Sequence, residues 1–421
     1  MAGPEVYTDS VTDFSEEEWV AVLSKLTQLF AVASLWELAM ALASSFVGAW
    51  FWHIHTPARA IVTYDIILIA VMTGLFAWGS RLSRWMPSQR MMQWGITIYM
   101  IYFLLLMALG ITSRQFYLLL ALLNGISAGL YWLALYIATA IWVKGNEAEW
   151  YNSWIGVIEN GFAIIAPPLA GWIITQFPRA LGYQIVFGIS VILLALAFGI
   201  VHYGEAPSMP VLDAPAVSET KDLWKRMTIA VTVLGLRDGV LFFIPSLYLF
   251  IATDNALLLG LYLTVQGGTQ VLAFYINSRL PATARSVGLW VLALSLSFAA
   301  TAALLLLSPI SAIFVFGLFN SLSYPLYKVA IESMALEVIQ KTGHSLEART
   351  VLTSRKEAWL NGGRTVSLLI LLLFMLIFSR HHLLVIRNVL AFWPLLTGLI
   401  YVSYRQAKTA LANWEWSHLS Q

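Results

Sequence analysis

Three ionisable residues stand inside otherwise apolar stretches. Glu37 lies within Ala33-Ser-Leu-Trp-Glu-Leu-Ala-Met40, and Arg237-Asp238 within Val233-Leu-Gly-Leu-Arg-Asp-Gly-Val240. At about 1.5 Å per helical residue, each sits roughly 18 Å from the start of its stretch, the depth of a bilayer midplane. A charge there costs about 2.5–3.5 kcal/mol on insertion scales, so such residues call for a functional or paired role. A carboxylate at that depth can take up and release a proton. An arginine beside it can tune that acid or hold an anionic group. Two readings of Glu37 stand side by side: a proton or substrate site, or a carboxylate neutralised by Arg237. Consecutive helical residues point about 100° apart, so one of Arg237 and Asp238 is expected to face an interior space and the other a neighbouring helix.

The elements that carry these residues are membrane helices. Of the 421 residues 59 % are hydrophobic and only 11 % charged, against about a quarter charged in soluble domains. At about 20 apolar residues per crossing, the chain divides into twelve spans. They lie near 25–52, 58–79, 90–112, 115–143, 152–177 and 181–203, then 226–252, 255–278, 286–307, 309–335, 357–379 and 382–404. This predicts an acidic segment 1–24, a six-helix bundle 25–203, a linker 204–225, a second six-helix bundle 226–404 and a tail 405–421. Ser15 and Glu18 form a capping box for the first helix. The linker holds Pro207, Pro210 and Pro215 and ends in a mixed-charge run. Sixteen of the 24 Lys and Arg fall on the side of the N-terminus and four on the other. The positive-inside rule therefore places both termini in the cytoplasm of a multi-pass cell-membrane protein.

Shallower charges are read as interfacial or gating. Asp65 lies in the outer third of the second span. Glu159 and Arg364 lie in the cytoplasmic thirds of the fifth and eleventh. Lys328 and Glu332, four residues apart, are expected to pair with each other, and Arg387 to reach the outer interface.

Several classes are excluded. The acidic start, with no Lys or Arg before Glu18, is no secretory signal. The absence of cysteine removes disulfides, thiolate metal sites and cysteine nucleophiles. His53-Ile-His55 and His381-His382 are too few for a metal site, and no metal or cofactor is expected. No phosphate loop and no clustered catalytic residues occur, so the chain reads as no enzyme. A net charge of +2 gives no reason to expect nucleic acid.

The two halves echo each other. Asn124-x-x-Ser127-x-x-Leu130-Tyr131 in the fourth span recurs as Asn320-x-x-Ser323-x-x-Leu326-Tyr327 in the tenth, 196 residues later. Ser80-Arg81-Leu82 recurs as Ser278-Arg279-Leu280, Trp36-Glu37 stands where Arg237-Asp238 follows, and Asn160-Gly161 is matched by Asn361-Gly362. Parallel six-helix repeats mark one transporter architecture. On these grounds the chain resembles the major facilitator superfamily (MFS): all-α, integral to the membrane, with twelve helices in two pseudo-symmetric six-helix bundles. The stretch Gly79-Ser-Arg-Leu-Ser-Arg84 is similar to the family's motif between the second and third helices. Gly79 and Arg84 match, and Ser83 replaces the acid. Pro167-Pro168-Leu-Ala-Gly171 resembles its exporter motif through Pro168 and Gly171.

What the resemblance implies is a central cavity lined by spans 1, 4, 7 and 10. Those spans carry Trp36, Glu37, Asn124, Ser127, Tyr131, Trp132, Arg237, Asp238, Tyr248, Asn320, Ser323, Tyr324 and Tyr327. Amides and aromatics suit a small organic solute. Gly79, Arg84, Glu159, Lys328, Glu332 and Arg364 form the expected gate and charge relay. The expected function is a monomeric, proton-coupled secondary transporter working by alternating access, leaning to export, with membrane lipid around it. The alternatives are a receptor or accessory protein with this fold that does not transport, or a lipid flippase.

Overall fold

The computed structural model describes residues 16–142, 147–178, 180–204, 221–279, 287–343, 345–378 and 381–419. Fourteen α-helices follow one another: α1 (Glu16–His53), α2 (Ala58–Ala77), α3 (Gly79–Trp85), α4 (Ser88–Leu109), α5 (Tyr117–Trp142), α6 (Glu147–Gln176), α7 (Leu181–Tyr203), α8 (Lys221–Thr253), α9 (Ala256–Arg279), α10 (Val287–Leu306), α11 (Pro309–Thr342), α12 (Leu346–Ile377), α13 (His382–Phe392) and α14 (Thr397–Leu419). Among the described residues eleven stretches are long and apolar enough to cross a membrane, and α6 contributes a shorter apolar one, Gly161–Gln176.

Local sequence explains the boundaries. Ser345 caps α12 by accepting the Ala348 N–H at 3.1 Å. Pro309 opens α11, where its missing N–H costs nothing. Asn255 receives the Leu258 N–H at 2.9 Å before α9. The Ser15 cap lies outside the described residues. Six helices outrun the expected spans on the linker side: α1 begins at Glu16, α6 at Glu147, α8 at Lys221 and α12 at Leu346, while α11 runs to Thr342 and α14 to Leu419. Polar residues there can continue a helix beyond the bilayer because the backbone bonds stay satisfied.

The twelfth span departs from expectation. It is not one helix over 382–404 but α13 and α14 joined by a 3₁₀ turn, Trp393–Leu396. Pro394 has no N–H to continue the α ladder. The break turns Thr397 inward, fully buried. A short helix, α3, fills the connection between the second and third spans.

Packing repeats between the halves. α1–α6, α2–α5, α4–α5, α1–α7 and α4–α7 in the first correspond to α8–α12, α9–α11, α10–α11, α8–α14 and α10–α13 in the second. This is the twofold six-helix arrangement. The halves meet along α2–α12 and α6–α9. Small residues let backbones touch at the second seam: a Cβ on Gly171 would stand 2.4 Å from the Ala256 carbonyl oxygen, and one on Gly260 2.5 Å from that of Pro167. Thr264 adds a bond to the Ile164 carbonyl at 2.9 Å. On the side away from the linker one apolar core runs through both halves. On the linker side the second half has its own cluster, from Leu223 to Leu411.

Candidate functional site

Arg237 is fully buried, and the repeat motif of α11 surrounds it. Its Nη2 donates to Asn320 Oδ1 at 2.9 Å and to Ser323 Oγ at 3.4 Å. Its Nη1 donates to the Tyr327 hydroxyl, and the guanidinium carbon lies 4.5 Å from the centre of that ring. Nε donates to Thr397 Oγ1 at 3.0 Å. Thr397 is held in turn by the Pro394 carbonyl at 2.7 Å and Ser297 at 3.0 Å. Helices α10, α11 and α14 thus build a polar cage for one cation. This satisfies the condition under which a buried charge is tolerated.

Asp238 is 2 % exposed and has far less support. Its Oδ2 lies 3.9 Å from Nη2 of Arg364 on α12. Its Oδ1 has no hydrogen-bond partner among the described residues. Arg364 also donates to Asn361 Oδ1 at 3.0 Å and rests 5.5 Å from the Phe242 ring centre.

A cavity of about 220 Å³ opens beside these groups. Both halves line it: Ala41 and Ser45 of α1, Ala163 and Pro167 of α6, Arg237, Asp238, Leu241 and Phe242 of α8, Gln266 and Gln270 of α9, Asn320 and Tyr324 of α11. The Tyr324 hydroxyl is buried with no hydrogen-bond partner among the described residues. Arg237 and Asp238 both reach this space, correcting the expectation that only one would. The arginine's donors are held by its cage, while Asp238 keeps an oxygen without a hydrogen-bond partner among the described residues.

The remaining expected residues separate into groups. Glu37 is half-buried on α1, one turn from Ala41, and does not line the cavity. Trp36 lies flat on Tyr131, with ring centres 3.6 Å apart and planes 7° apart. Trp132 packs edge-on to Tyr131 at 5.8 Å. Asn124 donates to the Tyr64 hydroxyl at 2.7 Å, and that hydroxyl bonds Tyr102 at 2.7 Å. Ser127 donates to the Gly95 carbonyl at 2.8 Å. These five form a packed interior of the first half. Tyr248 is buried in the shared apolar core, about 15 Å along α8 from Asp238.

The gate residues are likewise divided. Glu332 does not pair with Lys328. It accepts from Lys356 Nζ at 2.7 Å, and Lys356 also meets Glu357 at 2.8 Å. A buried ammonium from α12 draws both carboxylates, and Lys328 instead lies 4.9 Å from the Tyr324 ring centre. Arg387 donates to the Leu304 carbonyl at 2.8 and 2.6 Å, closing the C-terminus of α10 at its end away from the linker. Gly79 packs under Ser354 of α12, whose hydroxyl donates to the Phe76 carbonyl at 3.2 Å. Ser83, standing for the motif's acid, bonds only the Ser80 carbonyl of its own helix, at 3.1 Å. Arg84 is exposed on α3. The Glu159 side chain lies outside the described residues.

Sequence reasoning missed Thr397, Ser354 and Lys356. Only Thr397 had a signal, the Trp393-Pro394 pair that breaks its helix.

No family model matches the chain. It is 26 % identical over 361 residues to the uncharacterized protein YqgE of Bacillus subtilis (strain 168), covering 84 % of this chain and 83 % of that one. It is 24 % identical over 162 residues to an uncharacterized protein in the sodM 3′ region of Geobacillus stearothermophilus, covering 38 % of this chain and 76 % of the other. Among solved structures, the Escherichia coli fucose:proton symporter superposes with a TM-score of 0.60 at 14 % identity, over 92 % of this chain and 99 % of that one. A bacterial homologue of the iron transporter ferroportin gives 0.62 at 15 %, over 91 % and 99 %. A proton-dependent oligopeptide transporter gives 0.66 at 10 %, over 92 % and 100 %. With eleven membrane-length apolar stretches and a shorter one among the described residues, paired packing in the two halves and superposition over nine-tenths of its length, the chain has the fold of major facilitator superfamily transporters.

Proposed function

We propose that the chain is a secondary active transporter that exchanges a small organic solute for protons by alternating access. We place it in the cell membrane with both termini cytoplasmic. One observation carries the reading: Asp238 lines a cavity bordered by both halves, and one of its carboxylate oxygens has no hydrogen-bond partner among the described residues. That oxygen can hold a proton or accept a hydrogen bond from a solute, but not both. Competition for one atom is the elementary requirement of exchange. Arg237 has its donors committed to Asn320, Ser323, Tyr327 and Thr397. It therefore acts as a fixed positive charge beside Asp238 rather than as a mobile ligand. A volume of 220 Å³ has room for about seven waters at about 30 Å³ each, which suits a compact solute. Gln266, Gln270 and Tyr324 supply neutral polar contacts. The resemblance of Pro167–Gly171 to an exporter motif, together with its position on the α6–α9 seam, supports the outward direction.

The test has two stages. A thermal-shift screen of sugars, organic acids, amphipathic drugs and lipids identifies a ligand. Binding to the folded state raises stability by about 2.7 kcal/mol at a hundredfold excess over Kd. The ligand is then followed in proteoliposomes. Asp238→Asn should keep solute-for-solute exchange and lose accumulation driven by a pH gradient. Gradient-driven accumulation equal to the unaltered protein's would refute the proton role. Binding of lipids alone would shift the assignment to lipid movement, and binding with no flux to a non-transporting receptor.

A further inference from the structure

A second cavity, of about 670 Å³, lies away from the solute site at the linker-side ends of α8 and α12. Its origin is the way these helices cross. They are pinned where a Cβ on Gly235 would stand 2.0 Å from the Leu360 carbonyl oxygen and one on Gly363 2.2 Å from that of Thr232. From that crossing they run on toward the linker side past larger side chains, and a groove opens between them. Ile229 and Val233 line its deeper part, Trp224 and Trp359 its flanks, and Lys225 and Arg355 its mouth. Trp359 is 52 % and Ile229 44 % exposed. Lys225 and Arg355 have no acidic partner among the described residues, whereas Arg226 and Lys356 beside them are paired with Asp222 at 2.9 Å and Glu332 at 2.7 Å. So the two cations at the groove mouth are the ones left uncommitted.

We propose that this groove is a binding site for an anionic glycerophospholipid. Its layers match those of the lipid in order. Two cations at the membrane boundary meet a phosphate, tryptophan rings sit at the level where amphipathic aromatics anchor, and apolar side chains below accept an acyl chain. A free phosphate would use only the mouth, and a zwitterionic lipid would bring its own cation against Lys225 and Arg355. Because the groove is formed by α8 and α12, which carry Asp238 at the solute cavity and Arg364 3.9 Å from that carboxylate, the lipid would brace the crossing that positions them.

Native mass spectrometry of the full-length protein, with phosphatidylglycerol and phosphatidylcholine of identical acyl chains added separately, reads the site directly. The unaltered protein should retain phosphatidylglycerol saturably and with clear preference. Lys225→Gln with Arg355→Gln should weaken retention about 30-fold, the expected effect of removing two cations facing an anionic headgroup. Ile229→Trp keeps every charge and fills the groove, so it should displace the lipid too, and it decides the matter if the double variant does not fold. Soluble glycerol phosphate should not compete. Undiminished phosphatidylglycerol retention in the folded variants, equal retention of phosphatidylcholine, or displacement by glycerol phosphate would each overturn the assignment.

Discussion

Replacing Arg237 with methionine separates a structural cation from a substrate ligand. Methionine keeps much of the side-chain length and removes the charge and every donor. The loss can be worked out from the cage. Asn320 Oδ1 and the Tyr327 hydroxyl lose the guanidinium that now pairs them, at about 1–3 kcal/mol for each buried group left unsatisfied. Thr397 and Ser323 retain other bonds, to Pro394 and the Asn320 carbonyl, and lose less. Asp238 loses its adjacent compensating charge and keeps Arg364 only at 3.9 Å. The total is about 3–5 kcal/mol, the range found when one partner of a buried ion pair is removed. Reversible unfolding in mixed micelles, followed by tryptophan fluorescence, measures it. The decisive comparison is the cycle with Asp238→Asn. If the two residues are electrostatically linked, the double variant should recover about 0.5–3 kcal/mol relative to the sum of the singles. Additivity within about 0.5 kcal/mol, or a loss below about 1 kcal/mol for Arg237→Met, would refute the view that the cage is a structural device tied to Asp238.

Three further outcomes are expected. Gly79→Ala places a Cβ 2.4 Å from Ser354 Oγ and 2.9 Å from Leu133, so it should displace Ser354 from the Phe76 carbonyl and open the α2–α12 seam. The chain has no cysteine, so labelling of a single cysteine at position 354 or beside it should rise several-fold over the Gly79 form. Gly235→Val should lower stability by about 1–3 kcal/mol or more, because the Leu360 backbone cannot yield as a side chain would; an unchanged unfolding midpoint would contradict the crossing geometry. Tyr131→Leu removes the ring under Trp36, and should cost about 0.5–1.5 kcal/mol beyond its lost area while leaving pH-driven transport intact.

The membrane fold was legible because its causes are local. Apolar length, loop cations and a motif recurring after 196 residues need no knowledge of tertiary contacts. Arg237 and Asp238 stood out by type and depth, since an arginine and a carboxylate at mid-span are costly wherever they point. Their partners did not. Lys328 is four residues from Glu332 and Lys356 is 24 away, yet the distant lysine makes the bond. Spacing along one helix ranks neighbours correctly only until another helix offers a better-placed group. Thr397 is 160 residues from Arg237; Pro394 marks the break in its span, but nothing in either span says that the turn brings Thr397 to the arginine. The seam residues share this difficulty: Ser354 reads as an ordinary helix serine until α12 is laid against Gly79.

The repeat also shows how one scaffold was given two different interiors. Trp36 and Arg237 occupy matching places on the first helix of each half, and Tyr131 and Tyr327 matching places on the fourth. In the first half two rings stack at 3.6 Å, Asn124 turns to Tyr64 and Ser127 to the Gly95 carbonyl. In the second half the same asparagine, serine and tyrosine all turn to a guanidinium. A stacked pair carries no charge that must be surrounded by donors or acceptors, so the first-half motif is left to bind its own neighbouring helices. A buried cation demands every partner within reach, so the second-half motif is drawn inward and leaves a carboxylate beside it with an oxygen to spare. The asymmetry leaves α8, and not α1, with a carboxylate at the cavity. Glu37 has the matching depth and lies outside the 220 Å³ cavity, while Asp238 has both the depth and the opening.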